Sequence, residues 1–281
     1  MIKRHIDFDS HRFIPLEALE TFEGLLSDDD GLYDNMRRNN GGSVMGLYIT
    51  ESLNAVSNSI IADCPKATTL RYLKLAREFG VAHFAQHVRH GETFEVSING
   101  QQITLTGRYK GDYTDSNAWW KTYYTAIVLR DIDAINSLQK VQPKHFAMAN
   151  VPSSPFDLAL VAVLQGLFQQ DANMAERLKV ALTAEIKGGK AREKRTNHLF
   201  IPLLPVIRCI FTPDAEAEFN QVVKEAVKLH KKFWNGDKYD CAGWISLALT
   251  ALAAIAKARN GWQLDFETDY IPQWLVDGDF S

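Results

Sequence analysis

The stretch Ser116-Asn-Ala-Trp119-Trp120-Lys-Thr-Tyr123-Tyr124-Thr-Ala-Ile127-Val128-Leu-Arg130-Asp131-Ile-Asp133-Ala-Ile-Asn-Ser-Leu138 decides the fold class. Trp119, Tyr123 and Ile127 recur every four residues, and so do Trp120, Tyr124 and Val128. Two adjacent rows at this spacing make a broad apolar face on a helix. Ser116 is the expected N-cap, its hydroxyl accepting from a free N–H of the first turn. Arg130 complements the dipole at the far end. Four large aromatics in six residues require other helices to cover them. The face reads either as core, with indole and phenol groups reaching a rim, or as an aromatic ligand wall.

Outward from this segment the pattern stays helical. Apolar periodicity predicts helices over 12–26 (with Phe13 in its stripe), 44–61, 67–90, 156–168, 171–186 and a long amphipathic one opened by Thr212-Pro213-Asp214. Leu32–Arg38 reads as a further helical turn, and Trp244–Ala256 as a second buried helix beside 156–168. Ser154-Pro155-Phe156-Asp157 has the parts of a helix start: a capping serine, proline in the first turn, and an acid at the third position. One β signal stands out. Phe94, Val96 and Ile98 alternate with polar residues, Asn99-Gly100 suits a type I′ turn, and Ile103 and Leu105 alternate in return. A turn at 99–100 sets Val96 opposite Ile103 and Phe94 opposite Leu105, with all four on one face. The expected fold is mainly α, a multi-helix bundle or short α-solenoid with one small β-hairpin at about residues 93–106. The polar, turn-rich 107–115, with Gly111-Asp112, marks a soft boundary between residues 1–112 and 113–281, the two halves packing as one unit.

The 281 residues are 46% hydrophobic and 23% charged with net charge −3, values of an ordinary globular protein and no overall field for nucleic acid. Three widely spaced cysteines, Cys64, Cys209 and Cys241, fit reduced thiols rather than a disulfide or zinc framework. The first residues lack the apolar run of a secretory signal, and the runs 156–164 and 244–256 are too short for a membrane span. These features point to the cytoplasm.

Few residues offer chemistry. His83, His87 and His90 stand at i, i+4 and i+7, a spacing that suits metal ligation on one helix face. Phe84 replaces the glutamate of a His-Glu-x-x-His site, and a basic helix end explains the same residues. Asp131 and Asp133 point apart on a helix and read as a cap or solvated end. Lys187, Lys190, Arg192, Lys194 and Arg195 lack interleaved aromatics and read as a mobile, solvated loop. Gly-rich phosphate loops and nucleophile elbows do not occur, and no cofactor is expected. The remaining interest is acidic surface. Asp265, Glu267, Asp269, Asp277 and Asp279 interleave with Phe266, Tyr270, Trp274 and Phe280. They read either as a docked C-terminal segment with an acidic outer face or as a partner site for a basic protein. Asp28, Asp29, Asp30, Asp237 and Asp240 are lesser candidates of the same kind.

Trp119-Trp120-x-x-Tyr123-Tyr124-x-Ala126 with Arg130-Asp131 and Ile135-x-x-Leu138 resembles the central helix of the immunity protein 49 family. The later order agrees: Phe156–Leu160, Leu203-Leu204-Pro205, Ser246-Leu247-Ala248 and Asp269-Tyr270-Ile271-Pro272-x-x-Leu275. The resemblance spans about 40–277. It implies a cytoplasmic bacterial antitoxin, encoded beside a polymorphic or contact-delivered toxin, that blocks the toxin by binding and not by turnover. The implied partner is that toxin, with a basic nuclease favoured by the acidic surface, and neither nucleic acid nor membrane. A helical metal-dependent hydrolase built on the three histidines, and a helical scaffold, are the alternatives.

Overall fold

A computed structural model describes residues 1–6, 15–108, 113–169 and 173–280, apart from the side chains of Asp29 and Asp30. Phe13, Gly111, Asp112 and Asp171 of the sequence reading lie outside the described residues. The chain packs as two compact units, one of residues 12–152 with 280–281, the other of residues 1–11 with 153–279. The mid-chain division thus falls at 152/153, not at 112/113. The aromatic helix packs on the long helix that precedes the hairpin, so the polar stretch between them lies within a unit.

The first unit runs α1 (Pro15–Ser27), a π-helical turn (Asp29–Tyr33), α2 (Asp34–Arg38), α3 (Val44–Ile61), α4 (Lys66–Val88), β1 (Thr93–Ile98), β2 (Gln101–Thr106), α5 (Ser116–Val128), α6 (Ile132–Leu138) and α7 (Pro143–Phe146). The bounds of α3 are those its periodicity predicts, and Pro65 begins the next helix. The hairpin register is the expected one, Phe94 against Leu105 and Val96 against Ile103. Asn99 (φ 51°) and Gly100 (φ 79°) give the left-handed pair of a type I′ turn. The apolar face lies on α4, and the Asn99 side-chain amide donates to the Tyr33 hydroxyl at 2.9 Å.

The aromatic segment is core, not a ligand wall. Trp119 and Tyr123 are wholly buried and Trp120 and Tyr124 nearly so. Trp119 stacks on Tyr123 at 4.4 Å, and its indole N–H donates to the Leu138 carbonyl at 3.1 Å. Two local details differ from expectation. Asp115, one residue earlier than Ser116, caps α5, its Oδ1 accepting from Ala118 N at 2.9 Å. The segment is also two helices. Arg130 takes a left-handed φ of 58°, and Asp131 then caps α6 by accepting from Ala134 N at 2.9 Å.

The second unit runs α8 (Pro155–Gly166), α9 (Met174–Thr183), α10 (Gly189–Arg195), a π-helical turn (Thr196–Phe200), α11 (Leu203–Ile210), α12 (Glu216–Trp234), a 3-10 turn (Cys241–Gly243), α13 (Leu247–Asn260) and α14 (Gln273–Asp277). The capping box that opens α8 is complete: Ser154 N donates to Asp157 Oδ2 at 2.7 Å, and Asp157 N to Ser154 Oγ at 3.3 Å. The basic segment is helix α10, not a loop. Arg192 pairs with the buried Asp157, and the Arg195 guanidinium lies 5.5 Å from the Phe200 ring centre. With its preceding turn, Cys241–Asn260 has the length and hydropathy of a membrane span, longer than the sequence reading allowed. Two-thirds of it is buried, and α13 packs on α11 and α14 as a core helix. The architecture is mainly α with a two-stranded antiparallel hairpin.

Candidate functional site

The acidic, aromatic tail is largely docked. Tyr270 is wholly buried, its hydroxyl 3.0 Å from His5 Nδ1 and its ring edge-on to His230 at 5.1 Å. Burial pushes the Tyr270 phenol up to about 12. Asp269 is occupied too, because Arg4 N donates to its Oδ2 at 2.8 Å and the Arg4 guanidinium to its carbonyl at 2.5 Å. Ile2 bridges Thr268 in parallel, with Ile2 N donating to the Glu267 carbonyl at 2.8 Å. Lys257 donates to Asp277 at 2.6 Å and holds that carboxyl below its usual range. Trp274 is half-buried. Of the tail candidates, Asp265, Glu267, Asp277 and Asp279 are exposed, and Asp269, Tyr270 and Asp277 make contacts that hold the unit together. Arg4→Ala removes a donor from both the Asp269 and the Trp244 carbonyls. It is expected to cost about 2 kcal/mol in urea unfolding.

The other acidic candidates sit in turns. Asp28 is exposed and its Oδ1 accepts from Gly31 N at 2.8 Å. The Asp29 and Asp30 side chains lie outside the described residues. Asp237 and Asp240 are exposed after α12, and Asp240 caps the 3-10 turn by accepting from Ala242 N at 2.9 Å.

The three histidines do not converge. Helix α4 ends at Val88, so His90 leaves its face and is exposed, whereas His83 and His87 are buried. Both buried rings turn Nε2 towards the Thr114 hydroxyl, at 3.5 and 2.8 Å. Burial, and then the neighbouring His87 ring, which would repel a second proton, lower His83 to about 3; burial with Arg108 and His145 lowers His87 to about 4. These are neutral packing imidazoles at pH 7. Among the described residues, no three His, Cys, Asp or Glu side chains are placed to hold a metal ion.

The sequence reading missed one feature. A groove of about 460 Å³ runs between α9, the Thr196–Phe200 turn, α11 and α12. Its walls are apolar, and Leu182 on its rim is 63% exposed. The available signal was the stripe on α9, where Leu178 is buried and Leu182, one turn on, is left uncovered.

Comparison with curated proteins returns no match, and comparison with solved structures returns none either. A family model does match, that of immunity protein 49, over residues 62–275. That range takes in the α4–α5 core, the hairpin, and every helix of the second unit up to Leu275 in α14. The order of motifs from the Trp119 helix to the Asp269-Tyr270-Ile271-Pro272 turn therefore has a single explanation: the chain belongs to the immunity protein 49 family.

Proposed function

We propose that this chain confers immunity by binding a cognate bacterial toxin in the cytoplasm and occluding it, with no covalent step. The family match over 62–275 carries the reading. The helical build supports it, because a surface held on buried helices changes little on binding and loses little entropy there. The complex is one-to-one, with about 1,600 Å² or more of buried area. The exposed carboxylates Asp237, Asp240, Asp265 and Glu267 attract a basic toxin surface, as on a nuclease.

The deciding experiment expresses the toxin from the adjacent gene in cells with and without this chain, then co-purifies the two. Rescue with a stable one-to-one complex is the expected result. Rescue without any complex, the toxin or its target emerging modified, would mean turnover and sink the proposal. Reversing charge in the pair Asp265→Lys and Glu267→Lys is expected to slow association roughly tenfold at low salt and far less at high salt, read by stopped flow.

A further inference from the structure

We infer that the apolar groove between α9 and α12 seats an amphipathic helix of the toxin, one that carries acidic residues along its flanks. The inference rests on the toxin-binding reading and names the surface that it uses. Leu178, Leu182, Ile201, Val222, Ala226 and Leu229 line the groove. On α12 the lining positions 222, 226 and 229 follow the i, i+4, i+7 row, two turns of one helix face. Two turns rise about 10 Å, enough for two or three anchor side chains of an incoming helix.

The polar groups of the groove are few and mostly committed. Glu225 accepts from Lys228 at 2.7 Å, and Arg208 pairs with Glu218. A small-molecule site needs convergent polar groups to orient its ligand, and this trough does not supply them. An apolar helix face needs no such groups. The surrounding charge selects the sign of the partner. Residues 177–232 hold twelve Lys and Arg against six Asp and Glu; Lys179, Lys190 and Lys194 are exposed, while Lys228 is paired with Glu225. Residues 235–279 hold three against seven. The segment that builds the groove is therefore net basic and the tail net acidic, and a toxin with an acidic helix beside a basic surface would dock in one orientation.

The test uses the full chain and a catalytically silenced form of the adjacent toxin, with affinity read by calorimetry. Leu182→Glu and Leu229→Glu alter side chains that are exposed or half-exposed, so the fold is expected to survive, which thermal melting checks. Each should weaken binding about 30-fold or more. Lys190→Glu with Lys194→Glu should slow association at low salt. In the wild-type complex, hydrogen exchange should be slowed in α9 and α12. If the wild-type chain binds and both leucine variants bind equally well, the groove is not the seat, although the toxin-binding reading stands. If the lysine reversal tightens binding, the partner helix is not acidic. If the wild-type chain forms a dimer that Leu182→Glu disperses, a second copy occupies the groove and the inference fails. If the wild-type chain does not bind the toxin at all, inference and reading fall together.

Discussion

Gly80→Leu is expected to unfold residues 12–152, or to leave that unit too weak to observe at 37 °C. Helices α4 and α5 cross where Gly80 meets Thr122. A Cβ built on Gly80 would collide with the hydroxyl and methyl of Thr122 and sit 2.7 Å from its Cβ. Thr122 cannot easily turn aside. It is wholly buried, and its hydroxyl donates to the Ala118 carbonyl at 2.9 Å. Its branched side chain is also stiff within a helix. Any larger residue at position 80 must push two helices apart in a close-packed interior. Alanine there gains up to about 1 kcal/mol of helix preference, yet should still lose about 1–3 kcal/mol net through overpacking. Leucine should exceed that range, against a total stability of about 5–15 kcal/mol for an ordinary domain. Urea unfolding followed by circular dichroism reads the effect. Adding Thr122→Gly to Gly80→Ala should recover part of the loss, a favourable coupling that two independent sites would not show. A Gly80→Leu protein that melts like the wild type would contradict the crossing described above.

The second large effect is acid instability between pH 6.5 and 5. His83 and His87 are buried in the first unit and His230 in the second, where burial lowers it to about 4. A histidine in the unfolded chain titrates near 6.5. For each of these groups the unfolded state therefore binds more protons across the window from 6.5 down to about 4. Stability is complete above 6.5 and falls as pH falls. Each such group contributes about 1.4 kcal/mol per pH unit, so 1.5 units remove about 2 kcal/mol per histidine and about 4 kcal/mol from the first unit. Urea midpoints at pH 7 and pH 5 measure this. His87→Gln, which retains a polar partner for Thr114, should make the pH dependence shallower by about one proton. A first unit equally stable at both pH values would show that His83 and His87 are not sealed from water.

Much of the fold was legible because it is written locally. The bounds of α3, the hairpin register and the Ser154–Asp157 box each follow from residues within a few positions of one another. What escaped the sequence depends on distant partners or on rarely used backbone. The α5–α6 break rests on a left-handed Arg130, a conformation whose usual marker is glycine. Helix α10 looked mobile because its anchors, Asp157, Phe200 and Phe233, come from other elements. Ser116 and Asp115 are both competent caps, and sequence does not choose between neighbours. The tail was ambiguous for the same reason as α10, since Tyr270 is held by His5 and His230, 265 and 40 positions away in the chain. The groove leaves only a partial local trace, Leu178 and Leu182 on α9, because the rest of its lining comes from residues as distant as Leu229.

The bridge between Ile2 and Thr268 has a consequence for biosynthesis. Residues 1–11 and 153–279 belong to one unit, and residues 12–152 of the other are spliced between them along the chain. That inserted unit can mature while translation continues. The unit around it must wait for Tyr270 to emerge, residues 1–6 unclaimed through more than 200 further rounds of elongation, about 10–50 s at ordinary rates of synthesis. A nascent chain stalled far enough past residue 152 for the insert to clear the ribosome should already resist protease over it, whereas residues 1–6 should stay cleavable until synthesis passes α14.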